Sequence, residues 1–394
     1  MADTPNPSWA QTRPHRTPSD AVAASRLQRV LIIMPQLLGD AVLSSVLVTA
    51  LQDLIPGIRI DILVHQPLAE LFRHNPAIAA VHTIDRGWRR KGLWRTVRPR
   101  WALIRALRAH RYDLLIQSPH TTDGSWGPAL KALLRIPYAV GASDVTHGSP
   151  LKRFMWRRLF THTLPPPPDP NRRHVAELHL DLLRRLGLKP GPSARRATIE
   201  PGPAARARID ALLAERHIPQ QGFVLFAPLA GQRGRTLPAA LCRDFLDHCE
   251  ALGQTVVITS GHEAWQQAFA HALAQGRGDG IIDLAGALTL TELAALASAA
   301  RVFVGADSGP MHIAAAMGLP VIVCFGPGDH HRFSPWQTQL SLITGNHPCQ
   351  PCELDGCGNS GHADCLHDIQ SHTLLDAFQT FETSYTSIDP IPAS

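Results

Sequence analysis

"RVFVGADSGPMHIAAAMGLPVIVCFGP", residues 301–327, decides the fold. Two apolar, β-rich runs, RVFVGAD (301–307) and PVIVCFG (320–326), flank an alanine-rich stretch of helical character. Strand, helix and strand in so short a span predict a βαβ unit within a parallel sheet. The polar centre is out of place in a core. The first strand ends at Asp307, Ser308 and Gly309 open a turn, and Pro310 suits a first helical position, where its missing N–H costs nothing. Free N–H groups at such a helix start, with the positive end of the dipole, form a site for phosphate. His312 lies in the same first turn, able to add a donor or, if protonated, a charge.

Working outward, the alternation continues through GFVLFAPLA (222–230), QTVVITS (254–260) and GIIDLAG (280–286), with helical periodicity between the runs. A first set stands nearer the N-terminus: RVLIIMP (29–35), IRIDILV (58–64), AVHTID (80–85) and YDLLIQ (112–117). DAVLSSVLVTALQDLI (40–55) reads as one helix. The tetraproline of THTLPPPPDPNRRH (161–174) can continue neither a helix nor a ladder. HVAELHLDLLRRLGL (174–188) is an amphipathic helix, and linker-like composition returns after it.

The expected fold is therefore α/β, with two Rossmann-like, doubly wound domains facing a cleft. Its expected parts are a disordered tail (1–28), an N-terminal Rossmann-like domain (29–190), a linker (191–220), a C-terminal Rossmann-like domain (221–345), and a Cys-rich segment with a C-terminal helix (346–394). The chain has 394 residues and 44% hydrophobic content, enough for two such cores. No apolar run approaches the roughly 20 residues that span a bilayer. The Pro-, Ser- and Thr-rich N-terminus lacks the apolar centre of a signal peptide, so a cytoplasmic protein is expected.

Other strand ends carry chemistry. In RVLIIMPQLLGDAVLSS (29–45), Gly39 permits a sharp turn and Asp40 falls at the start of the helix. Asp40 reads either as a helix cap or as a carboxylate facing the cleft, ready to take a proton from a hydroxyl. APLAGQRGRTLPAAL (227–241) offers Arg233 and Arg235, guanidinium groups suited to phosphate oxygens, on a loop kept bare by Gly231 and Gly234. Glu263, opening a helix after the next strand, could accept from sugar hydroxyls or simply favour the helix dipole.

Taken in order, GD opening the first helix, RTLP (235–238), and DSGPMH followed by AAAMGLPVIVCFGP resemble the ADP-heptose:lipopolysaccharide heptosyltransferases, glycosyltransferase family nine. The resemblance implies a GT-B fold and an inverting transfer needing no metal cofactor. It implies Asp40 as the base that deprotonates the acceptor hydroxyl. Arg235 falls where the family usually has Lys in Lys-x-Trp-Pro, and Glu263 near an acidic donor-binding position. Asp307, Ser308, Gly309 and His312 match Asp-Thr-Gly-x-x-His, with Ser in place of Thr, and would grip the donor's sugar and diphosphate.

Seven cysteines are unevenly spread, and four of them, Cys349, Cys352, Cys357 and Cys365, crowd into HPCQPCELDGCGNSGHADCL. That spacing resembles the heptosyltransferase III-like branch. Four reduced thiols so close together suggest a structural zinc or iron site, or else unliganded loop cysteines.

The net charge of +6 favours an anionic partner. RGWRRKGLWRTVRPRWALIRALRAHR (86–111) holds ten Lys/Arg and no Asp/Glu, with three Trp interleaved. Arg89, Arg90, Lys91, Arg95 and Arg98 are the candidate contacts to a phosphorylated lipid-linked glycan and an anionic inner-membrane surface. No nucleic-acid-binding module is visible, and nucleic acid is not the expected partner. ADP-heptose and a lipid A–core acceptor are the partners the resemblance implies. A protein acceptor of the autotransporter type, another nucleotide sugar, and a non-catalytic binding module stay open.

Overall fold

The apolar runs become two six-stranded, wholly parallel sheets in the computed structural model, which describes residues 21–85, 93–119, 126–142, 158–165, 169, 173–192 and 195–386. The first sheet comprises β1 (Arg29–Ile33), β2 (Arg59–His65), β3 (Ala80–Ile84), β4 (Leu114–Gln117), β5 (Tyr138–Ala142) and β6 (His162–Leu164), in the order β3-β2-β1-β4-β5-β6. The second comprises β7 (Phe223–Ala227), β8 (Thr255–Ile258), β9 (Ile281–Asp283), β10 (Val302–Ala306), β11 (Val321–Phe325) and β12 (Leu340–Thr344), in the order β12-β11-β10-β7-β8-β9. Both follow one doubly wound topology, which reverses direction between β1 and β4 and again between β7 and β10. Ligands of such sheets sit beyond the carboxyl ends of the strands at those reversals.

Strands covered on both faces read as continuous apolar runs. β7, β10 and β11 are buried along their whole length. A single apolar cluster runs from Val30, Ile32 and Val42 of the first sheet's side to Phe303, Met311 and Ile313 of the second's. The helix Leu38–Ser44 packs directly on the helix Gly309–Ala316. That contact sets how the two halves of the cleft meet.

Several elements differ from expectation. The helix expected over 40–55 is two, Leu38–Ser44 and Val46–Leu54. Ser44 and Ser45 each donate a side-chain hydrogen bond back to a carbonyl three residues earlier, Ala41 and Val42, and such back-bonding competes with the regular helix ladder. Ser45 Oγ also accepts from the Thr198 amide at 2.7 Å. Within 191–220, read as linker, Gly202–Glu215 is a helix packed on Leu290–Ala299 of the second domain. Of the stretch read as tail, residues 21–28 are described: Val22 and Leu27 are buried, and the Val22 amide donates to the Leu186 carbonyl.

Candidate active site

Asp40 is not a helix cap. Leu37 takes the N-cap position, and Asp40 sits inside the first turn, buried, with 8% of its surface exposed. Burial pushes its carboxyl up to about 6, against the pull of the Arg332 and Arg235 guanidinium groups. Those two arginines come from the other sheet, so Asp40 of one domain faces the cations of its neighbour.

Three loops of the second sheet build that cationic wall. After β7, the tight turn Arg233–Arg235 presents Arg235, whose Nη1 donates to Asp307 Oδ2 at 3.0 Å. Arg235 Nε is buried and has no hydrogen-bond partner among the described residues. Asp307 follows β10 and is 5% exposed; burial pushes it up to about 6 although Arg235 pulls the other way. After β11, Gly328 lays bare backbone against this pair, where a Cβ would collide with Asp307 Oδ2. The same loop carries Asp329, which caps the helix His330–Phe333 through the His331 amide, and Arg332.

The helix Gly309–Ala316 begins at Ser308, whose hydroxyl donates to the Ala306 carbonyl at 3.3 Å and leaves the helix start without a side-chain cap. The first N–H groups therefore lack a capping side chain, as an anion site requires. Bare backbone again permits a close approach: a Cβ on Gly309 would meet Leu38 Cδ2 at 2.5 Å, and one on Gly39 would meet His312 Cδ2 at 2.5 Å. His312 is buried, and burial, with His174 beside it, takes its imidazole down to about 3. Of the two roles open to it, only the neutral one survives at physiological pH.

Asp40, Arg235, Asp307, Ser308, Gly309 and His312 thus belong to facing loops and helix starts of the two sheets. Glu263 stands apart. It is exposed at the N-cap position of the helix Ala264–Ala274, and no hydrogen bond or ion pair of its side chain ties it to the others. Arg332 and Gly328 escaped the sequence reading. Their signal was GPGDHHRF (326–333), which crowds Gly, Asp, His and Arg onto the end of a fully buried strand.

The Cys-rich segment braces the same loops. Asp355 Oδ1 accepts from the Gly234 amide at 2.8 Å, Gln350 Nε2 donates to the Phe325 and Gly326 carbonyls, and the Glu353 amide donates to the Pro327 carbonyl. Arg233 lies 4.5 Å over the Trp265 ring, beside a cavity of about 270 Å³ that His362 and Leu366 help to line. All four thiols are free; Cys365 is pushed up to about 11 by burial and by Cys352, Cys357 and Cys349. Among the described residues, however, the three metal-ligating side chains whose ligand atoms gather within 4.8 Å are Asp61, His82 and His110.

On the first domain, Arg98 lies on the helix Leu93–Ala109, and Arg95 is a position of the same helix. Arg89, Arg90 and Lys91 lie outside the described residues. Leu103, Ile104 and Leu107 turn toward the core, while Arg98, Trp101, Arg105 and Arg108 form an exposed stripe along a groove of about 420 Å³. Trp101 is 59% exposed. Among the described residues no helix is long and apolar enough to cross a membrane.

The sequence profile of glycosyltransferase family 9 (heptosyltransferase) matches residues 100–362. The chain belongs to that family. It is 30% identical over 303 residues to lipopolysaccharide heptosyltransferase 3 of Escherichia coli, a match covering 77% of this chain and 84% of that protein. In fold this family 9 glycosyltransferase is similar to the family 9 enzyme of Veillonella parvula DSM 2008, with a TM-score of 0.74 and 18% identity over 91% of this chain and 98% of that one. It is also similar to E. coli heptosyltransferase WaaC with ADP, with a TM-score of 0.68 and 20% identity over 90% and 100% of the two chains. The two facing parallel sheets are the GT-B fold, as expected from the sequence.

Proposed function

We propose that this family 9 enzyme transfers heptose from ADP-heptose (ADP-L-glycero-D-manno-heptose) to the inner core of lipopolysaccharide, with inversion and without a metal cofactor in the transfer. The observation that carries the reading is Asp40, buried at the reversal point of one sheet and facing Arg235 and Arg332 of the other. A carboxylate held near pH 6 can take the acceptor's hydroxyl proton at neutral pH. The freed oxygen then attacks the anomeric carbon from the side opposite the diphosphate, whose bond to that carbon breaks. Negative charge develops on the departing ADP, where Arg235, Arg332 and the uncapped N–H groups of Gly309–Ala316 stand ready in fixed positions.

Asp307 serves by positioning Arg235, the group it touches. The exposed stripe of Arg98, Trp101, Arg105 and Arg108 supports an acceptor carrying phosphates at an anionic membrane surface, the cations drawing in phosphate and the Trp resting at headgroup level. On this reading the enzyme works at the cytoplasmic face of the inner membrane, and nucleic acid is not its partner. The four thiols suit a structural zinc or iron ion that would draw them together and stiffen the segment bracing Gly234.

Incubation with ADP-heptose and lipopolysaccharide purified from a core-truncated strain tests the proposal by mass spectrometry. One added heptosyl unit per acceptor is expected, with release of ADP. Transfer only from a UDP- or GDP-sugar, or only to Ser and Thr of an autotransporter protein, would replace this reading. Donor binding with no transfer to any acceptor would leave a binding module.

A further inference from the structure

We propose that Asp61, His82 and His110 form a second site, which binds a zinc-type divalent cation. It lies in the first sheet near the start of β4, whereas Asp40 lies beyond the carboxyl end of β1. Asp61 belongs to β2, His82 to β3, and His110 follows the helix Leu93–Ala109. The register pairs His82 with Leu63, two residues along β2 from Asp61, so both side chains leave the sheet on the same face. Leu63, Leu107 and Tyr112 pack together on that face.

A carboxylate buried inside a strand is costly unless it is paired. Three groups converge on one oxygen, Asp61 Oδ2: the Tyr112 hydroxyl donates to it at 2.7 Å, His110 Nδ1 stands 3.2 Å away and His82 Nε2 3.6 Å away. Ligands about 2.0–2.1 Å from a tetrahedral zinc ion stand roughly 3.3–3.4 Å apart, and the two observed separations bracket that edge. The ligand atoms of Asp61, His82 and His110 all lie within 4.8 Å of one another.

Two imidazoles and a carboxylate are a donor set for zinc, each ring offering one nitrogen lone pair when neutral. The Tyr112 hydroxyl, 3.3 Å from His82 Nε2, can keep its bond to Asp61 and orient the carboxylate from outside the coordination sphere. His110 is partly exposed, which opens the site to solvent for entry of the ion and for a water as fourth ligand. A bound ion would tie β2, β3 and the end of the basic helix into one unit.

The decisive comparison is equilibrium dialysis of metal-stripped, untagged full-length protein against zinc, for the wild type, His82→Ala and His110→Ala. Each variant is expected to hold one fewer equivalent while retaining heptose transfer, since neither residue touches the cleft. Any ion held by the cysteines cancels in this difference. Equal stoichiometry in all three proteins overturns the site. Should a variant fail to fold, cadmium NMR of the wild type decides: a resonance in the range of nitrogen- and oxygen-bound cadmium is expected, and thiolate-range signals alone, or none, overturn it.

Discussion

Asp40 is pulled in two directions: burial resists its charge while two guanidinium groups favour it, and burial wins. Below about pH 6 the carboxyl holds its proton and cannot accept another, so kcat/KM should fall on the acid side with an apparent pKa near 6. A flat profile from pH 5 to 8 would remove Asp40 from the role of base. The same burial affects stability. Because the folded pKa lies above the unfolded 3.8, the folded state binds the extra proton between those values, so stability falls as pH rises from about 4 to 6. Asp40→Asn should therefore melt at or above the wild-type temperature at pH 7, as groups kept for function often cost stability. The GD and DSGPMH motifs made these positions legible in the sequence. Burial, which raises the Asp40 carboxyl and keeps His312 neutral, comes from helix packing across the cleft and left no mark in the local pattern.

At the scale of elements, the cleft depends on bare backbone. Gly39→Ala drives a methyl into His312, and overpacking of this kind costs about 1–3 kcal/mol; thermal unfolding should show the loss and turnover should drop with it. The Cys-rich segment acts as a brace: Asp355 holds the Gly234 amide in the loop that presents Arg235. Removing that bond with Asp355→Ala should cost about 1 kcal/mol, which corresponds to roughly fivefold weaker ADP binding by calorimetry. Unchanged affinity would mean that the loop keeps its shape unaided. Long apolar runs made most strands readable. β5, interrupted by Gly141, β6, three residues long, and β12, a half-exposed edge, lack such runs and depend on pairing with β4, β5 and β11. The Asp61, His82 and His110 cluster is likewise invisible locally, because parallel pairing, and not chain proximity, brings it together.

Across the whole molecule, the two domains are latched at His174. Its Nδ1 accepts from the Ala176 amide as a helix cap, its Nε2 donates to the Ser334 carbonyl of the second domain at 2.9 Å, and its ring stacks on Trp336. The same geometry sets the Asp40 carboxyl on one domain and the guanidinium groups of Arg235 and Arg332 on the other; the proposed reading gives the first the base's task and the second the anion's. Replacing Arg98, Arg105 and Arg108 together by Glu should abolish binding to anionic vesicles while leaving ADP affinity intact; retained vesicle binding would place the membrane contact elsewhere. The most direct measurement compares turnover and ADP affinity in Asp40→Asn and Arg235→Ala. Asp40→Asn should lose about 10²–10⁴-fold in turnover with ADP binding kept, whereas Arg235→Ala should lose ADP affinity. Full turnover in Asp40→Asn, or unchanged ADP binding in Arg235→Ala, would contradict the division of the site between the two domains.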